Sequence, residues 1–319
     1  MRSVALRRMA ASLVVLWAVA TGTYALVSLA PGDAASRITD PRLPAAARER
    51  WRRDFGLDRP LRARYLSWLA ATVRGDMGIS WQHRRPVRAL LAEALPPTAL
   101  LTGLGLLTET LGGLAIATWQ AMRPRSRVDR ALTITSLLAY AMPSFAVGMG
   151  LVWVFSYALG WLPASHMLSP TAAASGWARL GDGALHLVLP VATIGLTGMG
   201  ALARYTRGSL LEEQSQGYVL AARARGCSRR RAVLTHALPN AALPLVTVLG
   251  LSLPVLVSGS LLVEVVFAWP GMGQLLLQAA LARDIPLLMG GTLVGAAAVV
   301  LGNLLADVSV SLLDPRVRP

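Results

Sequence analysis

The chain has 319 residues, is 54% hydrophobic and only 15% charged, and carries a net +15 from 31 basic against 16 acidic side chains. Soluble domains carry about 25% charged residues, so this composition points away from water. Every basic residue is Arg and none is Lys, which excludes a lysine-dependent phosphate-binding loop and lysine Schiff-base chemistry. The lone Cys227 excludes an internal disulfide and a Cys-rich zinc site.

Six windows approach the 20 or so apolar residues that cross a bilayer as a helix. Residues 10–30 hold no charge. Ser28-Leu29-Ala30 resembles a cleavage site, but the run exceeds a signal-peptide core, so an uncleaved anchor is expected. A long loop, 31–93, follows. Its predicted elements are a helix over 44–55, stopped at Asp54-Phe55-Gly56-Leu57-Asp58, and a second over 60–73. The second places Tyr65, Trp68 and Leu69 on one face, and Gly75-Asp76-Met77-Gly78 reads as a turn. That face suits packing on the bundle or a place at the lipid interface; a structural outer cap and a contact surface for a ligand or partner both fit it.

The second window, 94–122, carries Glu109; the third, 131–164, holds Pro143 and Pro163. The fourth, 183–203, contains His186 and Pro190. His166 and His186 have no metal-ligand spacing. The loop over 204–236 is the most informative stretch. Residues 218–225 read as a short helix stopped by Gly226, a residue suited to a left-handed position after a helix end. Ser228 then caps a second segment over 229–236, and Pro239 falls in the first turn of the next apolar run. This helix–Gly–helix unit sets arginines beside small Ala221, Ala222 and Ala224. It is either a docking element for another protein or an ordinary arginine-rich topology signal. The fifth window, 237–267, contains Pro239, Pro244, Pro254 and Glu264; the sixth, 285–306, is followed by Asp307.

The windows are apolar all round, which a soluble helical core would not be. The charge sorts by loop. The N-terminus, the second and fourth loops and the C-terminal tail total +12, which predicts both termini and these loops to be cytoplasmic. The 31–93 loop is +6, and loops of that length translocate largely regardless of charge. A nucleic-acid binder would gather its basic residues on one soluble face, so no nucleic-acid partner is expected.

Gly226, nine residues, then His236-Ala237-Leu238-Pro239 resembles the cytoplasmic EAA loop of ABC importer permeases. The triplet here is Leu220-Ala221-Ala222, without the glutamate, and His236 replaces an isoleucine. Tyr218-Val219, Ala222-Arg223, Gly226, Ser228 and His236-Ala237-Leu238-Pro239-Asn240 are similar to the peptide/nickel branch. Further stretches agree with that branch: Gly56-Leu57-Asp58-Arg59-Pro60-Leu61, Gly75-Asp76-Met77-Gly78 and Pro86-Val87 in the first outer loop. Phe267-Ala268-Trp269-Pro270-Gly271-Met272-Gly273, Arg283-Asp284-Ile285-Pro286 and Asp314-Pro315-Arg316 complete the likeness.

The resemblance implies an all-α polytopic membrane protein with six transmembrane helices of type I ABC importer permease architecture. Its parts would be a first segment and helix (1–30), an extracytoplasmic loop (31–93) and a core of five further helices (94–319). The coupling loop would occupy 204–239. The implied function is import of di- or oligopeptides across the bacterial cytoplasmic membrane. A nickel or metal-chelate importer shares every motif, and an intramembrane enzyme is the rival of a different class, though no H-E-x-x-H or G-x-S-x-G pattern is present. Implied partners are a second homologous permease, two ATPase subunits, an extracytoplasmic substrate-binding protein and membrane lipid. No cofactor is expected in this chain, with ATP bound on the partner ATPases. The coupling residues would be Tyr218, Val219, Ala221, Ala222, Arg223, Gly226, Ser228, His236, Leu238 and Pro239. Glu264, Trp269 and Pro270 are candidates for the pathway or an outer gate, with an interfacial structural role the other reading for Glu264.

Overall fold

The computed structural model describes residues 2–29, 60–171, 176–242, 245, 252 and 260–313. The expected helix over 44–55, the motif residues 56–59, Pro244, Pro254 and Asp314-Pro315-Arg316 lie outside the described residues. So do residues 243–244, 246–251 and 253–259 of the fifth window and the side chain of Asp307. The regular secondary structure among the described residues is helical apart from an isolated antiparallel bridge between Ile79 and Pro86. Four of their helices are long and apolar enough to cross a membrane, five if one bent pair counts as a span.

The chain divides into two compact units, 1–93 with 275–300 and 94–274 with 301–319. In the first, α1 (Arg2–Leu29) meets α2 (Leu61–Val73) through an aromatic cluster. The Tyr24 ring lies 5.3 Å from Tyr65 and 5.2 Å from Trp68, and the Thr21 and Tyr65 hydroxyls share a 2.7 Å hydrogen bond. The predicted face of α2 therefore packs on the first helix. Gly75 and Gly78 both take positive φ, and the Gly78 N–H donates to Asp76 Oδ1 at 3.0 Å, as the turn chemistry predicts. Buried Asp284 joins the end of this loop to the last helix. It accepts from Ser80 Oγ at 2.5 Å and from the Gln82 N–H at 3.1 Å, while its other oxygen accepts from the Leu287 N–H.

The second unit takes most of α3 (Val87–Met122), then α4 (Arg127–Ala141) and α5 (Ser144–Leu151). The third apolar window is not one straight helix: α4 and the stretch 144–158 diverge by 106°. The cause is Pro143, which forces Met142 into extended backbone (ψ 136°) and opens a new helix start. A π-helical stretch, Val152–Ala158, continues α5.

Next, α6 (Trp177–Gln214) runs alongside α3 and α4. Gly200 permits the approach to α4, because a Cβ there would stand about 3.1 Å from the Ser136 carbonyl carbon. The carboxyl of Glu109 rests against α6 at Gly198, so that acid faces protein. Where α4 begins, Ser126 caps it by accepting from the Asp129 N–H at 3.0 Å. Asp129, 4% exposed, receives a two-pronged Arg207 (3.1 and 3.0 Å) and the Arg125 N–H (2.8 Å).

Removing the Arg207 guanidinium strands a buried carboxylate. Arg207 is itself partly exposed, so Arg207→Met is expected to cost roughly 2–3 kcal/mol, below the full burial penalty. Thermal unfolding in detergent measures it, and Asp129→Asn in the same chain should recover part of the loss. An unchanged unfolding temperature in Arg207→Met would show that the clamp contributes nothing.

Candidate functional site

The hairpin after α6 is built as the sequence predicts, with one local departure. Its first arm is α7 (Gly217–Ala224), and Gly226 follows with φ +91°. Ser228 caps the second arm, its side chain accepting from the Arg231 N–H. That arm begins as α8 (Arg229–Arg231), widens into a π-helical stretch at Ala232–Ala237 and ends as α9 (Leu238–Ala241). Pro239 explains the widening. Its ring has no N–H to donate and would collide with the Thr235 carbonyl of a regular helix.

Burial splits the predicted coupling residues into two groups. Val219 and Ala222 turn inward with Ala232, Val233, Ala237 and Ala241, forming a core with Ala117 and Ala121 of α3 and Leu210 of α6. Leu238 packs against its edge. Each fully buried valine contributes about 1.5–3 kcal/mol to this anchorage. Gln214 Nε2 and the Arg229 guanidinium both donate to the Ala121 carbonyl, in the last turn of α3, where helix carbonyls lack partners. Ala221, Arg223, Gly226, Ser228 and Pro239 face outward, and His236 is half-buried. Leu220, 50% exposed, and Leu234, 39% exposed, join this outer face. Helical spacing alone signals Leu220, since it stands between inward-facing Val219 and Ala222.

Tyr218 bridges the two arms. Its hydroxyl donates to Glu213 and accepts from Asn240 Nδ2 at 2.7 Å. Burial pushes the phenol up from its ordinary value, and the Glu213 carboxylate reinforces the shift, so the donor proton stays in place at neutral pH.

At the other end of this unit, α10 (Leu261–Val266) leads into the Trp-Pro-Gly turn and α11 (Met272–Leu281). Glu264 is fully buried and accepts from Thr98 Oγ1 at 2.8 Å and the Gln274 N–H at 2.9 Å. Thr98 Oγ1 in turn accepts from the Met272 N–H at 2.7 Å. Trp269, also fully buried, donates its indole N–H to the Pro97 carbonyl at 2.9 Å, while Pro270 is exposed. Gly271 is required here, because a Cβ would run into Thr98 Oγ1 and stand 2.5 Å from the Glu264 carboxyl carbon. A further polar cluster of the unit surrounds His186. Its Nδ1 lies 2.9 Å from the Ser165 carbonyl, and Ser169 Oγ donates to Asp182 Oδ1 at 2.6 Å.

The model for binding-protein-dependent transport system inner membrane components matches residues 111–319, and that for the N-terminal membrane component of such systems matches 1–102. The chain belongs to this family. Among its relatives is the oligopeptide transport system permease protein AppB of Bacillus subtilis (strain 168), 34% identical over 98% of both chains. The glutathione transport system permease proteins GsiC of Salmonella choleraesuis and of Escherichia coli O6:H1 are 35% and 34% identical, again over 98% of both chains. The resemblance read from the motifs is borne out: this is an ABC importer permease, a transport subunit with several membrane-spanning helices in the bacterial cytoplasmic membrane.

In this permease Thr98 holds the Trp-Pro-Gly turn together from both sides. Thr98→Val is isosteric but leaves a Glu264 oxygen and the Met272 N–H without their partner. The expected loss is about 2–4 kcal/mol, read as a lower unfolding temperature of the detergent-purified protein. Thr98→Ser should retain most of the stability.

Proposed function

We propose that this permease forms one half of the transmembrane channel of an ATP-driven importer for di- or oligopeptides. A second, homologous permease completes the channel, an extracytoplasmic binding protein delivers substrate, and two separate ATPase subunits supply the energy. Both termini and the 204–239 hairpin face the cytoplasm, with six spans between. The absence of lysine supports the division of labour, since this chain cannot build a lysine-dependent phosphate loop of its own. The names of the relatives, oligopeptide and glutathione permeases, favour a peptide substrate over nickel.

The observation that carries the coupling role is the division of the hairpin between a buried spine and an exposed face. The spine of Val219, Ala222, Val233 and Ala237 fixes it on α3 and α6, so a push on the hairpin reaches two long helices directly. The face, with Arg223, Ala221, Leu220 and Leu234, is free to enter a cleft of an ATPase. Two packings that differ by a few kcal/mol suffice to switch the spans between inward- and outward-open states. At the other end, the turn over Glu264, Trp269 and Pro270 forms part of the outer gate.

Gly226 offers a clean test. A Cβ at this position meets nothing within 4 Å, so Gly226→Asp adds strain from φ +91° but no internal clash. In a deletion strain carrying the variant, uptake of labelled dipeptide should fall by roughly 5- to 150-fold while membrane insertion is unchanged. Wild-type uptake in the variant would remove the hairpin from coupling. Nickel uptake measured beside it decides the substrate: restoration of nickel but not dipeptide transport by the wild-type gene would overturn the peptide reading.

A further inference from the structure

A second cluster of arginines lies away from the hairpin face. Arg125, Arg130 and Arg207 line a cavity of about 600 Å³ with Asp129, Thr133 and Ile134. Only Arg207 is neutralised there, by its two hydrogen bonds to Asp129. Arg125 and Arg130 are exposed, and among the described residues neither guanidinium has an acidic partner. The Asp129 charge is already paired by Arg207, and its oxygens also accept the Arg125 N–H. The site thus presents two unsatisfied guanidiniums and holds its one carboxylate out of reach of a ligand.

The cavity continues into an apolar strip. Along α4, Arg130, Ile134, Leu137 and Leu138 fall at i, i+4, i+7 and i+8, on one side of the helix. Ile134 is 58% exposed and Leu138 59% exposed. At 1.5 Å per residue the strip begins about 6 Å from Arg130 and runs on for about another 6 Å. A cationic pocket at the end of an exposed apolar strip, on a helix that enters the membrane, is complementary to an anionic head joined to an acyl chain. A free anion would satisfy the arginines and leave the strip uncovered; a neutral lipid would cover the strip and leave the arginines unpaired.

We propose that this cavity is a binding site for an anionic phospholipid, with the phosphodiester held by Arg125 and Arg130 and one acyl chain laid along Ile134, Leu137 and Leu138. Arg207 does not bind the lipid; clamped to Asp129, it fixes the start of α4 so that Arg130 points into the pocket. Bound there, the lipid ties the α4–α6 corner to the membrane surface.

The test is native mass spectrometry of the full-length permease, with whatever subunits co-purify, released from micelles containing equal phosphatidylglycerol and phosphatidylcholine. The wild type should retain phosphatidylglycerol preferentially. The double variant Arg125→Gln, Arg130→Gln, which leaves the Arg207–Asp129 clamp intact, should lose that preference by roughly fivefold per arginine, about thirtyfold for the pair. The corresponding double lysine variant keeps the charge and should keep most of the preference, which separates lipid binding from a folding defect. Equal retention of both lipids by the wild type, or an unaltered preference in the glutamine variant, would overturn the proposal. So would displacement of phosphatidylglycerol by excess inorganic phosphate, which would make the occupant a free anion. Protection of an Arg130→Cys thiol from maleimide by a co-purifying subunit, independent of added lipid, would assign the surface to a protein instead.

Discussion

A bilayer core offers no water to a broken helix, so each backbone group freed by a proline or a bend must find its partner inside the protein. This permease breaks its helices repeatedly, and the partners explain much of its detail. At Pro143 the new helix takes its first bonds from the proline carbonyl, which accepts from Ala146 and Val147. Past the π-helical stretch, the Phe155 carbonyl accepts from both Trp161 and Leu162. Beyond α10, the Phe267 carbonyl takes the His166 N–H at 2.8 Å, and the Trp269 indole reaches the Pro97 carbonyl. The irregular segments are therefore tied to one another rather than left to solvent.

The same constraint separates what could be read from the sequence from what could not. Spans, the α2 face, the Gly75–Gly78 turn and the hairpin caps follow from patterns local to a few residues, such as apolar length, i/i+3 spacing, or a glycine after a helix end. Pro143 was visible inside its window, yet the 106° divergence was not, because a proline permits a bend and the packing on either side sets its size. Glu264 shows the limit most clearly. Sequence places an acid near the end of an apolar run and leaves its role open between pathway and interface. Its partner Thr98 is 166 residues away, and only the folded chain brings the two together. The sequence offers Gly271 and Gly273 only as part of a stretch that resembles the family. Gly271 is in fact needed because the Glu264 carboxyl and Thr98 hydroxyl occupy the space of a side chain.

The arginines sort into distinct physical uses that a count of +15 conceals. Arg207 makes a planar, two-pronged bond to a buried carboxylate, a geometry that lysine cannot reproduce. Arg229 gives a hydrogen bond to a helix-terminal carbonyl. Arg125 and Arg130 are left unpaired at the edge of an apolar strip. The proposed topology would account for arginines gathering in these loops, but not for why one is clamped and two are presented.

The two ends of the second unit are also held by different means, and the difference bears on where the protein can change shape. The turn around Glu264 is closed by directional bonds between buried groups with a glycine backbone in contact, so a displacement of even an ångström there breaks several bonds at once. The hairpin is held mainly by apolar contacts among Val219, Ala222, Val233 and Ala237, which tolerate small sliding without losing a specific partner. Regular i to i−4 bonding is already relaxed at the bend at Pro143, in the π-helical stretch Val152–Ala158 and, inside the hairpin, at Ala232–Ala237. A force applied to the hairpin passes first into α3 and α6, against which it is packed. On the coupling role proposed above, rearrangement would cost least in the broken α4–α5 segment and most at the Glu264 turn, which would make that turn the fixed end of the motion and the hairpin its driven end.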